Sequence, residues 1–210
     1  MPHHAKPDYW ENAVEALMEC DRILRRVIPE HRELHLASQG QPFVTLLRAV
    51  VGQQISTKAA DAVWRRLEGV CGGLPTPVGI LGFEPEELRG AGLSRRKVEY
   101  VVDIARHFRD GLVHPEQWAS MEDEIIIREL TAIRGIGRWT AEMFLIFNLR
   151  RPDILPLDDV GLLKAISVHY FSGEPVSRFE AREVAQAWKP WSTVATWYLW
   201  RSLDSVAVEY

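Results

Sequence analysis

The segment Leu130-Thr-Ala-Ile-Arg-Gly-Ile-Gly-Arg-Trp-Thr-Ala141 reads as two helices meeting at a tight turn. One helical pattern ends near Ile133, Gly135 and Gly137 bracket a single apolar residue, and a second helix is predicted to start at about Arg138 or Trp139. Glycines at this spacing let the backbone turn sharply and come close to another molecule. The new helix presents unpaired N–H groups and its positive dipole end, an arrangement that binds anions. Arg134 and Arg138 flank the turn, so a nucleic-acid phosphate is the natural anion. A plain helix–helix corner also favours glycine.

Outward from this turn the sequence stays helical. Pro42 stands at a first helical turn, with Phe43, Leu46, Leu47, Val50 and Val51 following at helical spacing until Gly52-Gln-Gln-Ile55 interrupts them. Ser56 is placed to cap a helix from Thr57 to about Leu67, with Ala60, Val63, Trp64 and Leu67 inward. Gly69 to Gly82 holds five Gly and two Pro and is expected to be a loop. Ser94 caps a further helix reaching about Phe108, with Val98, Val101, Val102 and Ala105 on its apolar face. An N-terminal helix is expected from Trp10 to about Val27. With no sustained two-residue alternation, the predicted fold class is all-α. The amphipathic chain ends need a partner face, which suggests a discontinuous domain of residues 1–42 plus 155–210 beside a second domain of residues 43–154.

Composition narrows the function. Among 210 residues, 25 Lys+Arg against 29 Asp+Glu give a formal net charge of −4, which excludes a polycation binding nucleic acid by bulk charge but not a local basic face. The acids gather in the N-terminal helix (Asp8, Glu11, Glu15, Glu19, Asp21) and at 84–87 and 116–124, away from the expected contact surface. Two cysteines, Cys20 and Cys71, cannot form a disulfide framework or a four-thiolate cluster, so a reducing compartment is expected. No apolar run approaches the roughly 20 residues that span a bilayer, and the N-terminal stretch through Trp10 lacks a secretory core. Five of the eight tryptophans fall from Trp139 onward (Trp139, Trp188, Trp191, Trp197, Trp200), serving core packing or a stacking surface for flat substrates.

Further along, Ile154-Leu-Pro-Leu-Asp-Asp-Val-Gly161 precedes an apolar helix through Leu163 and Ile166, with Asp159 at its N-cap. Aspartate is a favoured cap in any helix. A carboxylate there is also held charged and at a fixed place, suited to stabilising a cation forming on a substrate or orienting an attacking water.

The hairpin of residues 130–141, the Asp158-Asp159 pair, Val51-Gly-Gln-Gln-Ile-Ser56 and Ala187-Trp-Lys-Pro-Trp191 together resemble the helix-hairpin-helix (HhH-GPD) DNA glycosylases. Within them the chain is most similar to the 3-methyladenine DNA glycosylase II (AlkA-like) group, over about Phe43 to Asp204. The resemblance implies a two-domain fold with an active-site cleft between the domains. It also implies base excision repair, in which damaged duplex DNA is bent, an alkylated purine such as 3-methyladenine or 7-methylguanine is flipped out, and its N-glycosidic bond is hydrolysed. Carried over by position, Asp159 is the catalytic acid, Asp158 a structural neighbour, and Trp139 and Trp200 pocket aromatics that stack on a cationic base. Gln54 is the intercalating wedge, where the bacterial relative has leucine. The N–H groups of Gly135, Gly137 and Thr140, with Arg138, contact phosphate. The carbonyls of Thr131, Ile133 and Gly135 match positions that hold a structural Na+ or K+.

Three departures sharpen this expectation. Family members that also cut the strand carry a lysine nucleophile where Trp139 stands, so a monofunctional enzyme without lyase activity is expected. Relatives with an iron-sulfur cluster have four C-terminal cysteines, and here none follows Cys71. The extra N-terminal β domain of the bacterial relative has no room in this length. The remaining expectations are a monomer with damaged double-stranded DNA as partner, no obligate protein partner, no membrane, no cofactor required for the chemistry, and a place in the bacterial nucleoid or a nucleus. A non-catalytic damage-binding module and a glycosylase for another lesion are the alternatives.

Weaker signals remain. His31 and His35, four residues apart, lack a third ligand and read as a solvated face. Arg89, Arg95, Arg96, Lys97, Arg106 and Arg109 stand against only Glu99 and Asp103, a solvated face or a source of phosphate contacts. Arg150, Arg151 and Lys164 are comparable.

Overall fold

The computed structural model describes residues 6–37 and 40–203, and among them there are helices and turns but no strand. Contacts divide the chain into two compact units, Gln39–Phe144 and a discontinuous one of Met1–Ser38 with Leu145–Tyr210. Asp204, the end of the stretch that carries the family resemblance, lies outside the described residues.

Helices are numbered in chain order. Thus α1 is Trp10–Cys20 and α2 Leu24–Glu30, both in the discontinuous unit. The continuous unit holds α3 (Pro42–Gly52), α4 (Thr57–Cys71), α5 (Pro77–Leu81), α6 (Pro85–Gly90), α7 (Arg95–Arg109) and α8 (Asp123–Thr131). The chain crosses from one unit to the other within α9 (Arg138–Phe147), and α10 (Val160–Tyr170), α11 (Arg178–Ala185) and α12 (Ser192–Leu203) complete the second unit.

In the continuous unit, the expected caps form. Ser56 Oγ accepts from the Ala59 N–H and Ser94 Oγ from the Lys97 N–H, fixing the starts of α4 and α7. Phe43, Leu46, Leu47, Val50 and Val51 are buried, as are Val98, Val101 and Ala105 of α7, which packs against α3. The stretch expected as a loop is more ordered than that. The α4 helix continues to Cys71, where Gly72 at φ +69° ends it. Pro77 and the Thr76 cap then start α5, which buries Ile80. The burial of one isoleucine offsets the local turn signals.

In the discontinuous unit, the single N-terminal helix expected from Trp10 to Val27 is two. Asp21, counted in the sequence among surface acids, is 7% exposed and breaks it. Its Oδ1 accepts from the N–H groups of Ile23 and Leu24, at 2.7 and 3.0 Å, starting a new helix. Its Oδ2 accepts from the Tyr170 hydroxyl at 2.7 Å and the Trp188 indole at 3.0 Å. Burial, with the Asp21 hydrogen bond and charge, pushes the Tyr170 phenol well above its usual range. The α12 helix is buried from Ser192 to Trp200, so it forms the centre of its unit. Trp10 packs edge-on against Trp197 with ring centroids 5.4 Å apart, and Trp188 and Trp197 are core residues. Trp191 is half-buried and stacks on Tyr9.

Candidate active site

Asp159 is 4% exposed and caps α10. The run before it is anchored to α12, since the Ile154 N–H donates to Thr193 Oγ1 at 2.9 Å. Asp159 Oδ1 accepts two hydrogen bonds, from the Leu162 N–H at 2.6 Å and from Trp200 Nε1 at 2.8 Å. Both donors fix the orientation of the carboxylate. Asp158 faces outward and pairs with Arg178 at 2.7 Å, so the adjacent acids have separate jobs.

Two residues that the sequence reading passed over shape this carboxylate. A Cβ on Gly161 would stand 3.1 Å from Asp159 Oδ1 and 3.3 Å from the Trp200 ring, so glycine is what lets the indole reach the acid. Phe147 stacks on Trp200 with centroids 5.8 Å apart and planes 11° from parallel. Gly161 could have been suspected as a helix former's poorest choice in a first turn. Phe147 carried no local signal. Trp200 itself is 7% exposed, so its indole nitrogen serves the carboxylate and one ring face serves Phe147.

In the other unit, the hairpin forms between α8 and α9 as the glycine spacing predicts. Gly135 has φ +88°, and a Cβ there would be 2.5 Å from the Tyr100 ring. It is therefore glycine for two independent reasons. Gly137 has open space around its missing Cβ, leaving its backbone approachable. The Ile133 carbonyl accepts from the Ile136 N–H at 3.2 Å, and the Gly135 carbonyl from the Gln53 amide at 2.9 Å. Thr131 is exposed, and its hydroxyl donates back to the Ile127 carbonyl. Thr140 and Trp139 lie in the first turn of α9, with Trp139 37% exposed.

The flanking arginines are less bare than the sequence suggested. Arg134 donates to Glu99 at 3.2 Å, while its N–H is taken by Asp103 at 2.8 Å. Arg138 pairs with Glu124 and, at 2.9 Å, with Glu142. Its hydrogen bond to Glu124 leads the effects that raise its pKa, and the same bond lowers that of Glu124. Glu124 stands on the hairpin's first helix and pairs with the start of its second, so the expectation that acids 116–124 sit away from the hairpin is corrected for Glu124. That carboxylate compensates the basic turn at Arg138.

Gln54 follows α3 in a left-handed backbone conformation, φ +58°, unusual for a non-glycine residue. Its side chain is exposed, as is that of Ile55. Lys97, counted with a solvated basic face, instead turns inward. Its ammonium donates to the carbonyls of Val51 at 2.7 Å and Gln53 at 2.8 Å, and burial lowers its pKa. The carbonyls left over at the end of α3 attract it more than open solvent does. Among the described residues no group of three or more His, Cys, Asp or Glu could hold a metal ion.

The described residues are helices and turns with a glycine hairpin and a buried capping aspartate, and comparison with known proteins assigns that arrangement to a class of DNA-repair proteins. The profile of the HhH-GPD superfamily base excision DNA repair proteins matches residues 47–191, and the chain belongs to that family. It is similar to DNA-3-methyladenine glycosylase 1 of Schizosaccharomyces pombe, 33% identical over 193 residues, covering 90% of this chain and 84% of that one. Among solved structures it is similar to a DNA-3-methyladenine glycosidase from Bacillus halodurans, with TM-score 0.86 and 36% identity over 94% of this chain and 92% of the other. The S. pombe 3-methyladenine DNA glycosylase Mag1 bound to abasic DNA gives TM-score 0.78 and 31% identity, covering 94% of this chain and all of that one (100%).

Proposed function

We propose that this chain is a monofunctional DNA glycosylase that flips alkylated purines out of duplex DNA and hydrolyses their N-glycosidic bond. The observation that carries the reading is Asp159, a buried carboxylate whose Oδ1 is held by Leu162 and Trp200. In the reaction the bond between the sugar C1′ and the base nitrogen breaks, and its electron pair leaves with the base. Alkylation has already made the base cationic, so it departs neutral. The Asp159 carboxylate stabilises the oxocarbenium-like sugar and orients a water whose oxygen bonds to C1′, while the released proton passes to the carboxylate and then to solvent. The electron-rich face of an indole favours the cationic base by electrostatics, a role for Trp139 and Trp200.

Duplex DNA is held by the N–H groups of Gly135, Gly137 and Thr140, and Gln54 fills the gap left by the flipped base. Membership of the family and likeness to a glycosylase in complex with abasic DNA support this assignment. Trp139 offers no amine for a Schiff base, which supports hydrolysis without strand cleavage. The hairpin carbonyls of Thr131, Ile133 and Gly135 are neutral, and those of Ile133 and Gly135 each keep a second lone pair beyond the bonds described above. Such a set fits a hard monovalent Na+ or K+, which would add positive charge toward a phosphate. The enzyme works as a monomer where the genome is, without an obligate protein partner.

The test is release of free 3-methyladenine and 7-methylguanine from methylated DNA by wild type and Asp159→Asn. Release by wild type and loss of about a hundredfold or more in the variant, at equal fold and DNA affinity, is expected. Equal release by both removes Asp159 from the chemistry, and tight binding with no free base from wild type indicates a damage-binding module. Borohydride must trap no covalent complex; a trapped one would show a lyase.

A further inference from the structure

We infer that one face of α7, made by Lys97, Tyr100 and Asp103, is an alignment rail that sets the wedge turn and the phosphate-binding hairpin in a single register. This deepens the proposed function and rests on its reading of Gln54 and the hairpin as DNA contacts. The three residues are spaced three apart, so they line one side of the helix. At one end Lys97 donates to the carbonyls of Val51 and Gln53, fastening the backbone immediately before Gln54. In the middle, Tyr100 lies so close to Gly135 that no side chain fits between them. At the other end, Asp103 accepts from the Arg134 N–H at 2.8 Å, holding the residue before that glycine. Gln53 closes the loop directly, because its amide donates to the Gly135 carbonyl at 2.9 Å.

Ordinary core stitching would not need this construction. Lysine is rarely chosen to fill a part-buried site, and here its ammonium is partly desolvated to reach two carbonyls. Gln54, which directly follows the carbonyl that Lys97 holds, is in a left-handed conformation that persists only when its surroundings over-determine it. A wedge must enter the duplex at a fixed offset from the phosphates being gripped, and an error near 1 Å in such placement costs about a hundredfold in rate. Lys97, Tyr100 and Asp103 are therefore positioning residues that act through Gln54 and the hairpin.

The experiment uses a duplex with 2-aminopurine opposite a tetrahydrofuran abasic analogue, so that unstacking by the wedge is read without chemistry. It is paired with affinity for undamaged duplex and single-turnover release of 7-methylguanine. Lys97→Met is expected to keep undamaged-duplex affinity within about twofold while the fluorescence rise and the release rate fall about tenfold. Lys97→Arg, which retains donors for both carbonyls, is expected to recover most of both. Wild-type fluorescence and release in Lys97→Met overturn the inference, as does a loss of undamaged-duplex affinity in the same proportion as release. If Lys97→Met fails to fold, Gln53→Leu on the turn decides by the same pattern. No fluorescence rise with wild type defeats the wedge reading itself, and the rail with it, whereas a wild-type rise that the variants share defeats only the rail.

Discussion

Trp200 Nε1 donates to Asp159 Oδ1 across 2.8 Å, joining the last long helix of the chain to the cap of α10. Trp200, proposed above as a base-stacking residue, is also a holder of the acid. Trp200→Phe keeps a ring against Phe147 but leaves a buried carboxylate one donor short. Thermal unfolding should show a loss of about 1–3 kcal/mol. Base release should fall while affinity for undamaged duplex is kept, and unchanged release would show that the Trp200 bond does not orient the acid.

Gly161→Ala tests the same contact from the opposite side. Alanine would favour the helix by about 1 kcal/mol, yet its methyl group would sit 3.1 Å from Asp159 Oδ1. Single-turnover release is expected to drop about tenfold with the melting temperature nearly unmoved, since a sub-ångström displacement of a catalytic group is felt in rate first.

The two hairpin glycines separate fold from contact. Gly135→Ala must accommodate φ +88° and the Tyr100 ring, so it should lose about 1–3 kcal/mol of stability along with duplex affinity. Gly137→Ala meets open space. It should melt like wild type but bind duplex more weakly, because the added methyl stands where phosphate approaches. Fluorescence anisotropy and calorimetry together distinguish them; normal binding by Gly137→Ala would count against the phosphate contact.

Arg138 is balanced by Glu124 and Glu142, so its charge is largely spent within the protein. Glu124→Gln should therefore tighten binding to undamaged duplex and steepen the dependence of log K on log salt by about one unit. The wild-type slope should be shallow for a DNA-binding protein. An unaltered slope in the variant would mean that Arg138 does not reach a phosphate.

Acid stability carries a further signature. Burial works to raise the Glu129 pKa, but hydrogen bonds from the Trp118 indole at 2.9 Å and from His114 outweigh it, and the net shift is downward from 4.5. With a depressed folded-state pKa, this carboxylate contributes stability above about pH 4.5 that is lost as pH falls through its lower folded value. Glu129→Gln should be less stable than wild type at neutral pH, and the difference should shrink on acidification below that point. A difference that grows with acid would reverse the sign and refute the assignment.

What was legible in the sequence was local chemistry. Ser56, Ser94 and Asp159 cap helices because a short oxygen-bearing side chain can accept from the free N–H groups beside it, and Gly135 marks its turn because glycine takes φ +88° without strain. Asp21 was misjudged because its partners Tyr170 and Trp188 are 149 and 167 residues away. Lys97 was misjudged because a lysine in a basic run looks solvated until the end of another helix is placed over it. The closeness of Gly161 to Trp200 has the same character, since spacing along one helix says nothing about what lies across from it.

Asp21 also orders events during synthesis. The carboxylate that starts α2 finds its hydroxyl and indole partners only after Tyr170 and Trp188 have left the ribosome, whereas residues 39–144 have all their own contacts by the time α9 is made. The continuous unit can therefore fold before the Asp21 cap is completed, while the N-terminal helices wait for cover over Trp10 and Leu17, both buried in the finished fold. A ribosome stalled short of Trp188 would leave those apolar faces open.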